Sequence, residues 1–259
     1  MMKYLLPLLL IFTFFFGSAQ EKQSCFKEGE WFKFRIHYGL INAGYATMEV
    51  KKETLDEVPV YHVVGYGRTT GLSRLFFRVE DNYESYFDQS KLIPYKFVRK
   101  IDEGGHTKDK EIFFDHDARQ AVVKDYKHDT EGKFDIQSGV QDMISAFYYL
   151  RANYKVDELR VGDELALNMF FDEETFPFKL KYLGKETIRT KFGKIRALKF
   201  RPIVQAGRVF KEKESVTLWV SNDDNKVPLR IKASLAVGSL KADLDAFKGL
   251  KHSFKVIVN

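Results

Sequence analysis

The segment of this 259-residue chain with the most potential binding chemistry runs from position 65 to position 78. It holds three arginines interleaved with large apolar side chains. A guanidinium group donates paired hydrogen bonds to phosphate or carboxylate, and apolar neighbours contact an acyl chain. The segment therefore predicts a site for an amphiphile with an anionic head group. The predicted ligand-binding residues are Arg68, Arg74, Phe76, Phe77 and Arg78.

The same segment has a purely structural interpretation. As a short helix it would place Leu72, Leu75 and Phe76 on one face, where they could cap the open end of a sheet. The arginines would then pair with acidic residues that follow, such as Glu80 and Asp81.

Other polar clusters match no motif of catalysis or metal binding. The run 115–117, Asp-His-Asp, is typical of a hairpin turn, and Asp125 and His128 lie in a polar stretch without metal-ligand spacing. No Gly-x-Ser-x-Gly sequence is present, and the paired carboxylates fall at predicted turns. We therefore name no catalytic residue and expect no metal and no cofactor.

The N-terminus has the three parts of a secretory signal peptide. Lys3 precedes an apolar run at 5–16, which ends in Gly17-Ser18-Ala19. We expect cleavage after Ala19 and export to the periplasm or the extracellular space. The apolar run is shorter than the roughly 20 residues that span a bilayer, and no later segment reaches that length, so the mature chain is not expected to span a membrane.

Cys25 is the only cysteine, so no intrachain disulfide can form. Five polar residues, 20–24, separate it from the apolar run, and we therefore do not expect lipidation at this position. The sequence does not assign Cys25 a role.

The charge of the chain argues against nucleic acid as a partner. Lys and Arg number 42 against 36 Asp and Glu, a formal net charge of +6. The basic residues are scattered among acids and form no block, and an exported protein does not meet DNA. Aromatic residues make up 15% of the chain, which favours β-strands with a large aromatic core.

Alternation of apolar and polar residues predicts strands along most of the chain. Examples are 32–38, 45–50, 60–66, 83–87, 95–99, 110–114, 121–124, 164–171, 178–182, 186–191, 196–201, 216–220, 228–233, 235–244 and 253–258. One helix is predicted at 139–153, with Ser138 as N-cap and Gln141 completing a capping box. Its apolar stripe, which includes Val140, Ile144, Phe147 and Tyr148, should pack on the sheet.

These elements predict a mainly β fold. We expect a large curved antiparallel sheet, a half-barrel or open barrel, with one principal helix packed on it. Residues 20–259 are expected to form a single β-rich domain, with two β halves at 26–135 and 155–259 around the helix at 139–153.

Several segments together resemble a bacterial family of exported proteins known as domain of unknown function 3108. The resembling segments are 29–34, 41–44, 81–88, 92–94, 142–151, 218–221, 227–231 and 238–240, which cover nearly the whole mature chain. The resemblance implies an exported β-rich protein and supplies no catalytic residues. Its fold is loosely similar to that of periplasmic lipoprotein carriers, which is an analogy of fold and assigns no ligand.

The function that we expect is non-enzymatic binding of an apolar or amphiphilic ligand, such as a lipid, or of another envelope component. One alternative is an enzyme that acts on envelope glycan or lipid through a site assembled from distant residues. The other is a structural or interaction protein without a small-molecule site. A large apolar pocket favours the first interpretation, convergent carboxylates the second, and a flat apolar patch the third.

Overall fold

The computed structural model of the protein describes residues 24–203 and 216–257. The predicted signal peptide, residues 1–19, lies outside the described residues. The strands are β1 (Trp31–Tyr38), β2 (Ile41–Leu55), β3 (Val58–Thr69), β4 (Val79–Asp88), β5 (Pro94–Glu103), β6 (His106–Asp115), β7 (Gln120–Asp125), β8 (Thr130–Asp135), β9 (Glu164–Phe171), β10 (Glu174–Thr190), β11 (Gly193–Ile203), β12 (Val216–Ser221), β13 (Pro228–Ser234) and β14 (Ser239–Lys248). The helices are α1 (Ser73–Phe76), α2 (Met143–Asn153) and a 3₁₀ turn at Val156–Glu158.

All 14 of these strands belong to one antiparallel sheet. The strand order is β8-β7-β6-β5-β4-β3-β2-β1-β14-β13-β12-β11-β10-β9, so each half is a meander and the pairing of β1 with β14 joins them. Strands β8 and β9 form the two edges and do not pair with each other, so the sheet is not closed. The predicted class, a large antiparallel sheet with one principal helix, is confirmed.

The sheet curves until its distant parts touch. Phe170 on β9 is fully buried, and its ring lies 6.0 Å from the rings of both Phe114 on β6 and Phe134 on β8. Twisted open sheets of more than about ten strands tend to curl or split. Curling places α2 inside the curve, where it contacts both β4 and β9.

Helix α2 begins later than the sequence predicted. Asp142 is the N-cap, and its carboxylate accepts hydrogen bonds from the N–H groups of Ile144 and Ser145 at 2.7 and 2.8 Å. Ser145 completes the capping box by accepting from the Asp142 N–H. The predicted cap at Ser138 is wrong because Gly139 has a φ of +72°, which a helix cannot contain.

The apolar side of α2 packs as predicted, with one difference. Ile144 and Tyr148 are buried together with Val140, which precedes the helix. Phe147 is only half-buried, because it faces a cleft between the helix and the second half of the sheet.

Four strand predictions need correction. The predicted strand 235–244 starts later, as β14 at Ser239, because 235–238 form the connection from β13. In β1 a bulge between Ile36 and His37 shifts the alternation, so His37 is buried and Tyr38 is exposed. The segments 178–182 and 186–191 form one long strand, β10, with an irregularity between Tyr182 and Gly184. The predicted last strand, 253–258, is reduced to an isolated bridge at Ile257.

In the part of the chain that the structure describes, neither α1 nor α2 has the length and apolarity needed to cross a bilayer.

Candidate functional site

The arginine-rich segment 65–78 lies on the surface at one end of the sheet. It forms the end of β3, the single turn α1 and the approach to β4. Leu72, Leu75, Phe76 and Phe77 are all exposed, with Phe76 at 87% of its full accessibility. The predicted short helix is therefore present, but its apolar side chains are exposed to solvent and do not pack over the end of the sheet.

The arginines of this segment form exposed ion pairs. Arg78 donates a hydrogen bond to Glu80 at 2.9 Å, and Arg74 lies 3.9 Å from the same carboxylate. The hydrogen bond from Arg78 lowers the pKa of Glu80, and the Tyr66 hydroxyl adds to this effect. Arg68 is exposed on β3. The structural interpretation described pairing with Glu80, and Arg74 and Arg78 show it. Binding of an amphiphile by Arg68, Arg74, Phe76, Phe77 and Arg78 stays a prediction.

A different feature, on the inner side of the sheet, has the character of a ligand site. It is a cleft of about 210 Å³ between α2 and strands β9–β13. Its walls are Met143, Ala146, Phe147, Leu150, Met169, Phe178, Leu180, Phe200, Pro202, Val216, Leu218, Val220 and Ile231, together with Arg151 and Tyr154. Every lining side chain except the last two is apolar. We call this feature the apolar cleft.

The two polar residues of the apolar cleft hold unused hydrogen-bond donors. The hydroxyl of Tyr154 and the Nε of Arg151 are both buried and have no hydrogen-bond partner. Burial raises the pKa of Tyr154 far above its ordinary value, so the hydroxyl keeps its proton. Unpaired buried donors are rare in folded proteins, and each one calls for a physical explanation.

The rest of the Arg151 side chain is held rigidly. Its Nη1 and Nη2 donate to the two carboxylate oxygens of Glu30 at 2.7 and 3.0 Å, and Nη2 also donates to the Asn225 carbonyl at 2.8 Å. Both charged side chains are almost completely buried. The rings of Phe26, Phe32, Phe147 and Tyr148 surround the guanidinium at 5.1–5.8 Å. Arg151 therefore links the N-terminal segment, α2 and the β12–β13 turn.

A second and larger cleft, of about 910 Å³, lies at the C-terminal end of α2 and is mostly polar. Cys25 and Tyr154 both line it. Burial raises the pKa of the Cys25 thiol, which keeps it protonated and a poor nucleophile. The ammonium of Lys226 donates to the carbonyls of Arg151 and Tyr154 at 2.7 and 2.6 Å and so caps the helix. These contacts are structural and leave no activated nucleophile in this cleft.

Two clusters of histidine and aspartate, which match no metal-binding motif in the sequence, lie at opposite ends of β7. Asp115 accepts from the N–H groups of Asp117 and Ala118, which is turn geometry. At the other end, burial alone would raise the pKa of Asp125, but hydrogen bonds from His128 and Lys110 hold it at about 2. Within 24–203 and 216–257, no group of three or more His, Cys, Asp or Glu side chains is arranged to hold a metal ion.

Sequence reasoning missed the apolar cleft. Its residues follow the apolar periodicity expected of inward-facing positions on strands and on a helix. The sequence pattern therefore predicts that they are ordinary core residues. One signal was available, since Arg151 stands in the apolar stripe of the predicted helix, where an arginine needs a partner.

Comparison of the fold with solved structures finds similar proteins at low sequence identity. A crystal structure of a β-barrel-like protein of domain of unknown function DUF1849 from Brucella abortus aligns with a TM-score of 0.54 and 8% identity, covering 86% of this chain and 98% of that one. A provisionally named lipoprotein from Parabacteroides distasonis aligns over 87% and 98% of the two chains, at 12% identity. Its TM-score of 0.33 is too low to support an argument. At this level of identity the first likeness concerns the fold alone.

No curated protein matches the sequence. A family model does match, and it spans residues 33–245, which include every strand from β2 to β13 and the whole of α2. The match confirms the resemblance drawn from the sequence motifs. The chain belongs to the family described as protein of unknown function DUF3108.

Proposed function

We propose that this protein is an exported protein of the bacterial cell envelope that binds an apolar or amphiphilic molecule without altering it chemically. The observation that carries the proposal is the apolar cleft, whose 15 lining residues include only two polar ones. Ligand sites are typically apolar concavities with a few convergent polar groups. The signal peptide predicted at 1–19 supports the compartment.

The size of the apolar cleft limits what enters it. Its volume of about 210 Å³ lies below the roughly 300–1,000 Å³ typical of sites for drug-sized ligands. A ligand held here would therefore insert only part of itself, such as a segment of an acyl chain. Each square ångström of apolar surface removed from water contributes about 25 cal/mol, so a short inserted segment already gains useful affinity.

The polar residues indicate the chemistry of the rest of the ligand. The Tyr154 hydroxyl and the Arg151 Nε–H are donors without acceptors, and an unpaired buried donor costs about 1–3 kcal/mol. A carboxylate or ester oxygen next to the inserted chain would satisfy them. We therefore propose an acyl-chain amphiphile with an oxygen acceptor near the chain. Arg68, Arg74, Phe76, Phe77 and Arg78 would contact the same class of molecule outside the cleft.

Titration with a fluorescent fatty acid, 11-(dansylamino)undecanoic acid, tests this proposal. Ile231→Glu places a charge at the edge of the apolar cleft, where Ile231 is 42% exposed. We expect this variant to bind the probe at least tenfold more weakly than the parent protein. Val58→Glu is the matched control, because Val58 is 37% exposed and lies at the start of β3, outside the cleft.

A second variant addresses the head group. Tyr154→Phe removes the free hydroxyl and keeps the ring, so we expect weaker binding of the fatty acid and unchanged binding of the corresponding alkane, measured by competition with the probe. Mass spectrometry of the recovered ligand distinguishes binding from catalytic turnover, because a binding protein leaves the mass of the ligand unchanged. The proposal fails if the parent protein binds no probe, or if Ile231→Glu binds like Val58→Glu.

A further inference from the structure

Three neighbouring hairpins end in exposed apolar residues at the same end of the sheet. They connect β1 with β2, β3 with β4, and β13 with β14, and these six strands are consecutive in the sheet order β4-β3-β2-β1-β14-β13. Because the strands are antiparallel, all three connections lie side by side at one end. We call their exposed apolar residues the apolar rim: Leu40, Ile41, Leu72, Leu75, Phe76, Phe77, Leu235 and Val237.

The apolar rim is held in place by hydrogen bonds between the hairpins. Ser73 donates to the Asn42 carbonyl and Asn42 donates to the Thr70 hydroxyl, both at 3.4 Å. The Tyr38 hydroxyl donates to the Val237 carbonyl at 2.9 Å, which ties the β1–β2 end to the β13–β14 hairpin. The rim is therefore one fixed surface built from three projections.

The three connections that form the apolar rim contain no acidic residue. The only charged residues in the segment 65–78 are Arg68, Arg74 and Arg78, and the segments 39–44 and 235–240 carry no charge. Glu80 offsets part of this positive charge. By contrast, three turns at the opposite end are acidic, with Asp56 and Glu57 between β2 and β3, Asp115 and Asp117 between β6 and β7, and Asp223 and Asp224 between β12 and β13.

We propose that the apolar rim docks the protein on the surface of a lipid bilayer that contains anionic phospholipid. Large apolar side chains mixed with arginines are typical of segments that lie in the membrane interface, because the apolar groups enter the acyl boundary and the cations stay with phosphate. The three arginines of the segment 65–78, next to the apolar side chains of the rim, complement an anionic head-group layer.

The shape of the rim favours a bilayer over a protein partner. Three separate projecting hairpins present neither a flat face nor a groove, and a protein surface would need a matching pit for each. A fluid interface accommodates all three projections at once. Docking by the rim does not depend on what the apolar cleft binds, since no rim residue lines that cleft.

Co-flotation with vesicles tests this proposal on the mature protein. The vesicles are phosphatidylcholine with phosphatidylglycerol at 3:1, compared with phosphatidylcholine alone. We expect the parent protein to float with the anionic vesicles, and Leu75→Glu/Phe76→Glu to lower the bound fraction at least tenfold. Val161→Glu is the matched control, because Val161 is 73% exposed, close to the 80% of Leu75, and precedes β9 at the opposite end of the sheet.

The remaining outcomes separate this proposal from its rivals. Arg74→Glu should weaken flotation with the anionic vesicles and have little effect with phosphatidylcholine alone. Sedimentation velocity without lipid should show a monomer. If the parent does not float, and instead forms a dimer that Leu75→Glu/Phe76→Glu dissociates, the rim is an interface between two copies and bilayer docking is overturned. The single variant Leu75→Glu changes no residue proposed to contact the fatty acid, so it should weaken flotation and still bind the fluorescent probe. Failure here is therefore distinguishable from failure of the proposed function.

Discussion

Replacing Arg151 by methionine should destabilise the protein strongly. Methionine keeps the apolar stem that packs among the surrounding rings, but it removes the cation paired with Glu30, a carboxylate with no exposed surface. Breaking a buried ion pair in this way costs about 3–5 kcal/mol, because the remaining charge stays buried without a partner. The Asn225 carbonyl also loses a donor, and a buried polar group left unpaired costs about 1–3 kcal/mol.

The double variant Glu30→Leu/Arg151→Met gives the opposite expectation. When both charges are replaced by apolar groups of similar size, no unpaired charge remains, and such replacements are often neutral or stabilising. We therefore expect the double variant to recover at least about 2 kcal/mol relative to Arg151→Met alone. The pair would then act mainly to specify how α2 meets the N-terminal segment, and less to stabilise the fold.

Urea unfolding followed by circular dichroism measures both free energies, and an unchanged slope with urea would show that the same surface is exposed in each variant. Arg160→Met is the control, since Arg160 is exposed and its replacement should change the free energy of unfolding by less than about 0.5 kcal/mol. A loss below about 1 kcal/mol for Arg151→Met would refute the assignment of a desolvated ion pair at this position.

Three further expectations follow from single residues. Burial raises the pKa of Asp81 to about 6, so the folded state binds this proton more tightly than the unfolded state, and its contribution to stability is lost as pH rises from about 4 through 6. Asp81→Asn should therefore raise the melting temperature relative to the parent at pH 7.5 and have a smaller effect at pH 4; an equal effect at both values would contradict the shift. Gly44→Ala would place a Cβ 2.2 Å from the Arg68 carbonyl oxygen and should cost about 1–3 kcal/mol, whereas Gly67→Ala, with no atom within 4 Å, should unfold like the parent. Intact mass of the exported protein should correspond to cleavage after Ala19, and an uncleaved product in the membrane fraction would show that the N-terminus is an anchor.

The features that sequence could predict are those set by local periodicity. The strand 164–171 was predicted at the residues where the structure places it, since large apolar residues recur at every second position, at Leu165, Leu167 and Met169. The helix was predicted by type, but its start was not, because Gly139 at positive φ and the capping carboxylate of Asp142 outweigh the serine signal at Ser138.

The features that sequence could not predict depend on residues distant in the chain. Glu30 and Arg151 are 121 positions apart, and only the curled sheet brings them together. The apolar cleft likewise requires α2 to lie against β9–β13 with a space left open, and alternation reports which side chains face inward without reporting whether they fill the interior. The segment 65–78 was predicted as a binding segment from composition alone, and its exposure at the end of the sheet was visible only in three dimensions.

The curvature of the sheet has two sources of different size. At the β9–β10 turn, Asp172 accepts from Arg99 at 2.6 Å and from Lys108 at 3.0 Å. Asp172 is substantially exposed, and exposed pairs of this kind contribute about 0–1 kcal/mol each. Phe170, fully buried on the same hairpin, contributes more, because burying a phenylalanine side chain gains about 1.5–3 kcal/mol. The aromatic contact therefore stabilises the curvature of the sheet, and the ion pairs fix the position of the β9–β10 hairpin against β5 and β6. High salt should accordingly leave the sheet curved. Loss of the Phe170 ring should reduce the curvature and also widen the apolar cleft, because β9 forms part of its wall.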